Sequence, residues 1–539
     1  MDRGTVRPAR LASVRRSSGT GDPVAEGGPR PGPDGRVARL AIFLTAGLLA
    51  FAFIGRAVIS SDGAEVIADS FGLMVTGRLE AATVPPESID PYFPPSPPFR
   101  SRYGAFPSIA MLPFLSLAWP FRSLLGAHGL DAVVALTWTC GAALAAWGFL
   151  RLARALKSDA SALWAPAFLA GTFLWPYAAD SFFEPLAAFG LALAAERILA
   201  GNATRPVGVA LAAAAGLCGA AFLKPVLWVT APVVLLGALL RWRDRPSALR
   251  FVASLLAFLA TGLVVALVVN LARQGRAGDF GYGYSSLPFV TPLATGLWGL
   301  VLSPGRGLFL YAPLAFVALF AARRMTRARL VLCFGVPLVL LLVACRWYGW
   351  HGGSAWGPRY LLSILPLLCA PAVLLPRKVT GLAVGAGVLV NLLGVLVAPG
   401  AWASYVELLH GPAAAGWPRG GCDRMSETTR LSPIYGHAFL LARSLGAIAA
   451  FPGAAKDLSE GIAPPTAAAY LSPCLVRRAI GFPCAPPLSA KLLTRIGWAA
   501  IARGRPDLAR PFLREALVLE PGDLRAAALL SALGTGPAR

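Results

Sequence analysis

Charge is scarce in this chain: Asp, Glu, Lys and Arg make up 14% of its 539 residues, whereas 56% are apolar. A soluble chain of that make-up would not stay dissolved, so soluble-enzyme, fibre and disulfide-scaffold readings fall away. Metal-ligating side chains are thin as well. The four histidines do not cluster and the eight cysteines form no Cys-x-x-Cys pair, so no signature of structural zinc is present. Acids are the scarcer charge, 26 Asp plus Glu against 49 Lys plus Arg, for a formal charge of +23. In a soluble protein that excess would point to nucleic acid. Here no run interleaves stacking aromatics with Lys and Arg, and most basic residues stand in short loops between apolar stretches, where they orient a chain in a membrane. Membrane lipids, and not nucleic acid, are the expected surroundings.

What is abundant is long apolar runs. A helix crossing a hydrocarbon core of about 30 Å needs roughly twenty predominantly apolar residues. The segments 38–58, 131–152, 160–179, 182–200, 207–223, 225–241, 249–270, 307–322, 329–345, 360–376 and 379–399 fit that description. The pattern predicts an all-α polytopic membrane protein with about eleven transmembrane helices. A further stretch, 107–125, carries Pro107, Pro113, Pro120 and Arg122. If it spanned, every later loop would change side. Without it, Arg151, Arg154, Lys157, Arg197, Arg205, Arg241, Arg243, Arg245, Arg250, Arg323, Arg324, Arg327, Arg329, Arg377 and Lys378 all share the side of the basic N-terminal tail. The positive-inside rule therefore makes 107–125 an interfacial or re-entrant helix, with the N-terminus cytoplasmic and the C-terminal region extracytoplasmic.

The flanks differ from the membrane part. Residues 1–36, rich in Arg, Pro and Gly, read as a disordered cytoplasmic tail, and the long apolar stretch that follows shows no cleavage site of a signal peptide. Residues 401–487 read as an extracytoplasmic linker region. Residues 488–539 read as a tetratricopeptide-like helical segment, with Gly497, Ala509, Ala516 and Pro521 where such a repeat places small residues and Pro. A repeat and a half cannot bury a core alone, so it must pack on the rest of the chain or on a protein partner. Cys140, Cys218, Cys333, Cys345 and Cys369 read as small apolar fillers, while Cys422, Cys474 and Cys484 fall in the exported region; there the short loop between Cys474 and Cys484 favours that pairing.

The outer face has its own chemistry. In the first outer loop, 59–106, Asp62, Glu65 and Asp69 recur at spacings of three and four on one side of an amphipathic helix whose apolar positions include Val66, Ile67, Phe71, Leu73 and Met74. Ser61 or Asp62 with Glu65 would equally serve as a capping box. Asp180 and Glu184 occupy a second outer turn, where an acid at the lip of a span more often lines a cavity than faces lipid; Glu184 before Pro185 also suits a helix's first turn. Lys224, Arg306, Arg346 and Arg359 run against the positive-inside rule, each at a helix end and, Arg346 apart, next to Gly or Pro. They offer partners for phosphate, or snorkel to headgroups.

These features in this order resemble the GT-C membrane glycosyltransferases, in the branch of protein mannosyltransferases, the aminoarabinose transferase of lipid A and many bacterial relatives. The resemblance covers about 37–400 and rests on Asp62 in SSDGAEVIADS, on Glu184-Pro185-Leu186, and on Lys224 just past the fifth span. The segments YGAFPSIAMLPF, SPGRGLFLYAP and WHGGSAWGPRYLL also look like those of bacterial relatives. The family follows its first acid with another acid, or with Glu and Pro; here Gly63 follows, and both Asp62 and Glu65 remain candidates for the working carboxylate.

The resemblance implies a glycosyltransferase of a bacterial inner membrane, moving a sugar from a polyprenyl-phosphate donor to a glycan, lipid or protein acceptor. It implies Asp62, Glu65 and Glu184 as catalytic carboxylates and Lys224, Arg306, Arg346 and Arg359 around the donor phosphate. It fixes no cofactor and leaves room for a divalent metal. Two other classes stand beside it. A lipid or solute transporter would show internal repeats and charges near mid-membrane, neither of which is evident. A non-catalytic scaffold using its tail for partners would not need Asp62.

Overall fold

A computed structural model describes residues 35–55, 61–77, 104–278, 289–353, 355–397 and 432–439, together with parts of 494–533. Every regular element among them is helical. The main helices are α1 (Gly35–Gly55), α2 (Ser61–Thr76), α3 (Ala105–Ala118), α4 (Arg122–Leu156), α5 (Trp164–Ala170), α6 (Glu184–Ala200), α7 (Pro206–Leu223), α8 (Ala231–Trp242) and α9 (Ala248–Gln274). They are followed by α10 (Arg327–Arg346), α11 (Arg377–Leu396) and, near the C-terminus, α12 (Leu524–Ala532). Seven are long and apolar enough to cross a membrane: α1, α4, α7, α8 with its lead-in from Pro225, α9, α10 and α11. The chain is a polytopic helical membrane protein.

The other four expected spans are shorter or broken, and proline is the common cause. Pro166 and Pro176 leave 160–179 as α5 and a single 3₁₀ turn. The segment 182–200 becomes helical only at Glu184 and yields the 17 residues of α6. Pro313 divides 307–322 into Leu308–Tyr311 and Pro313–Ala318. Arg359–Leu374 changes between 3₁₀ and α geometry around Pro366 and Pro371. The stretch 107–125 is likewise not one element. α3 runs through Pro113 and ends in a 3₁₀ turn, Trp119–Phe121, after which Arg122 opens α4, 35 residues long.

α4, α6, α7 and α9 pack in succession. Small buried residues such as Ala188, Ala192, Ala213 and Ala220 let the backbones approach closely, the usual route to helix association in lipid. Larger rings fill the intervening spaces: Phe149 stacks on Phe168 at 4.2 Å and Trp242 on Phe251 at 4.0 Å. A second, smaller core joins Val66 and Ile67 of α2 to Met111 and Leu115 of α3, to Val134, Ala135 and Trp138 of α4, and to Phe183. The amphipathic face expected of the first outer loop is thus a packing face.

Cys218, Cys333, Cys345 and Cys369 are buried, as small fillers would be, whereas Cys140 is exposed. Cys422, Cys474 and Cys484 lie outside the described residues, as do Gly497 and Pro521 of the tail. Ala509 and Ala516 are fully buried against Ala526 of α12, and Arg510 donates to the Leu533 carbonyl at 2.9 Å.

Candidate active site

The site lies where α6 begins and α7 and α9 end. Pro185 starts α6 with a preset φ, putting Glu184 in its first turn. Pro225 forces the residue before it out of helical geometry, so Lys224 is extended at the end of α7. These two stops bring Lys224 Nζ to 2.5 Å from Glu184 Oε1, with the side chains 16% and 2% exposed. Lys224 Nζ also stands 5.7 Å from the centre of the Tyr360 ring. Arg359 approaches the same ring, its guanidinium 5.1 Å from the centre, while 4.6 Å from the ring of Phe182. Two cations therefore converge on one aromatic ring beside a buried carboxylate.

The loop 347–358 supports Arg359 from behind. Gly352, Gly353 and Gly357 all take φ between 62° and 72°, where a side chain would be strained. Arg306, 2% exposed, donates into the coil they form, to the carbonyls of Gly353 and Ala355 and, at 3.3 Å, of Gly357. The buried Trp356 anchors the loop's far side. Its carbonyl accepts from Tyr177 Oη at 2.9 Å, and its indole N–H donates to Asn391 Oδ1 at 3.1 Å. Within the loop, His351 Nδ1 accepts the Gly353 N–H at 3.1 Å, so the neutral ring carries its proton on Nε2. Burial, and then the charges of Arg306 and Arg359, push its pKa down from 6.5 to about 4.

α2 closes the other side. A Cβ on Gly63 would meet Ser181 Cβ at 2.3 Å, so at this position only glycine permits the contact between α2 and the 180–184 turn. That turn holds the buried Asp180, whose Oδ1 accepts the Ser181 N–H at 2.9 Å. Two turns along α2, Asp69 forms a fully buried ion pair with Arg273 at the end of α9.

Of the residues expected from sequence, Glu184, Lys224 and Arg359 come together. Arg306 is close by but uses its donors on the loop. Arg346 is exposed and donates to the Phe289 carbonyl at 3.1 Å. Asp62 and Glu65 have their backbone in α2, Asp62 next to Gly63, and their side chains lie outside the described residues. Among the described residues no three His, Cys, Asp or Glu side chains gather as metal ligands. Arg273 and His351 were missed in the sequence. Arg273 carries part of the signal of the other four cations, a base at the end of an apolar run on the expected outer side, while His351 carries none.

No protein-family model and no curated protein matches the chain. The similarity among solved structures is to ArnT. Its crystal structure, from Cupriavidus metallidurans in the apo state, aligns over 83% of this chain and 78% of that one, at 15% identity and a TM-score of 0.45. At that distance ArnT lends no residue roles, and those proposed below rest on this chain's own geometry and on its sequence motifs.

Proposed function

We propose that the protein is a membrane glycosyltransferase of the GT-C kind, moving a sugar from a polyprenyl-phosphate donor to an acceptor on the extracytoplasmic side of a bacterial inner membrane. The observation that carries this reading is the convergence of Lys224 and Arg359 beside Glu184, next to the turn on which α2 rests at Gly63, the neighbour of Asp62. The acceptor hydroxyl attacks C1 of the sugar, its proton passes to a carboxylate, and the C1–O bond to the lipid phosphate breaks. Asp62 is the assigned base, with Glu65 the nearest substitute. Lys224 and Arg359 take up the charge that grows on the departing phosphate, and Glu184 holds Lys224 in place. Arg306 supports the loop, and Arg346 belongs to the headgroup region.

Two variants test the reading. Asp62→Asn keeps any capping role, because Asn caps well, but removes the proton acceptor; sugar transfer from a polyprenyl-phosphate donor falls by roughly a hundredfold with melting temperature unchanged. Arg359→Ala raises the donor KM by about tenfold, since a phosphate loses a charged partner while the base remains. A folded Asp62→Asn protein with full activity would remove Asp62 as base and leave Glu65 and Glu184 to be tried.

A further inference from the structure

The region after the last membrane helix reads in sequence as a linker, yet a piece of it sits on the loop that carries Arg359. Residues 433–439 form a helical turn in which Gly436 N–H donates to the Ser432 carbonyl at 2.9 Å. Ser432 is 3% exposed and His437 fully buried, and Ile434 packs on the main core. The His437 ring meets Trp356 edge to face, with centroids 4.6 Å apart at 61°. Its Nδ1 lies 2.7 Å from the Pro433 carbonyl, which can only accept, so Nδ1 carries the proton and the ring is fixed in orientation.

From Trp356 the contacts run on without a gap. Tyr177 donates to the Trp356 carbonyl, the Tyr177 ring meets Phe182 at 5.5 Å, and Phe182 lies under the Arg359 guanidinium. Arg306 and Asn391 hold Trp356 and its neighbours from inside the membrane domain, and His437 holds the indole from outside it.

We infer that the segment 432–439 is part of the site's construction, with His437 a positioning residue that acts through Trp356 to hold Arg359 for a lipid-linked phosphate. The phosphate rests on the function proposed above; the positioning of the loop does not. An aromatic edge against an indole has a defined direction, which a flexible contact would lack.

The test uses full-length protein in nanodiscs and two substitutions. His437→Asn keeps a donor for the Pro433 carbonyl but has no ring, whereas His437→Phe keeps a ring edge and has no donor. Hydrogen–deuterium exchange across 349–360 should rise in His437→Asn and stay at the wild-type level in His437→Phe. In sugar transfer, His437→Asn should raise the donor KM about tenfold with kcat within twofold, and His437→Phe should restore it. Unchanged exchange in His437→Asn, or equal exchange in both variants, would overturn the coupling. A loss of kcat at constant KM would overturn the positioning role. If the wild-type protein transfers no sugar, the functional reading fails by itself, and the exchange result still decides whether His437 holds the loop.

Discussion

Where α4, α6 and α8 finish, the cations stay partly in solvent. Arg241 donates to the Leu199 carbonyl at 3.1 Å, Arg245 to Gly201 at 3.0 Å and Arg324 to Leu374 at 2.5 Å, each caring for a chain end that has run out of helical donors. Glu196 meets Arg151 at 2.9 Å and Arg197 at 3.3 Å, with both arginines more than a quarter exposed. At the other end, where α6 begins and α7 and α9 finish, Asp69 with Arg273 and Glu184 with Lys224 are withdrawn from solvent, and Arg306 is closed into a loop. Charge at the first end caps chain ends, with its arginines still partly in water. Charge at the second end is desolvated, which costs free energy and is sustained where it shapes a site.

The sharpest way to break this contrast is topological and all-or-none. Ala155→Cys, at the capping end, should resist an impermeant thiol reagent in intact cells, and Asp90→Cys, in the first outer loop, should react. Labelling at 155 would turn the two ends around. Next comes stability. Asp69→Asn removes the carboxylate beside a buried guanidinium and should cost about 3 kcal/mol or more. Arg151→Gln, in a pair that is partly solvated, should cost at most about 1 kcal/mol. Both are read from unfolding in mixed micelles, and equal losses would erase the distinction between the ends.

The most gradual effect concerns His351. Its folded pKa of about 4 lies below its ordinary 6.5, so the unfolded chain takes up this proton first. His351 leaves stability unchanged above pH 6.5 and lowers it as pH falls from 6.5 towards 4, where its protonation places a third positive charge near Arg306 and Arg359. Melting temperature followed over that window should fall less steeply in His351→Gln than in wild type; parallel slopes would separate the ring from the pH response.

Hydropathy made the bundle legible because α1, α4 and α7 to α11 need only composition and length to declare themselves. What hydropathy did not reveal is where a segment enclosed by other helices breaks: Arg359–Leu374 is apolar, and Leu361, Leu365 and Ala370 face protein, so prolines that would break a lipid-exposed helix are accommodated. At the site, the acid before Pro185 and the cation before Pro225 were readable because proline fixes where a helix starts and stops. The division of labour among the arginines was not. Arg306 and Arg359 look alike in sequence, both following Gly or Pro, and only the fold turns one into a loop and leaves the other over two rings. Gly63 was equally opaque: the neighbour that forbids a side chain there, Ser181, is remote in sequence.

The length of α4 has a consequence for where chemistry happens in depth. Thirty-five residues at 1.5 Å each make a rod of about 52 Å, far more than the roughly 30 Å of a hydrocarbon core. So long a rod reaches beyond the hydrocarbon core at one end or both. α2 and α3 rest against Val134, Ala135 and Trp138, in the half of the rod nearer its start. The layer carrying Asp62 is therefore seated along the side of α4. On the proposed chemistry, a lipid-borne phosphate would meet Lys224 where the apolar helix Pro206–Leu223 ends, so the acceptor would be the partner that has to travel to it.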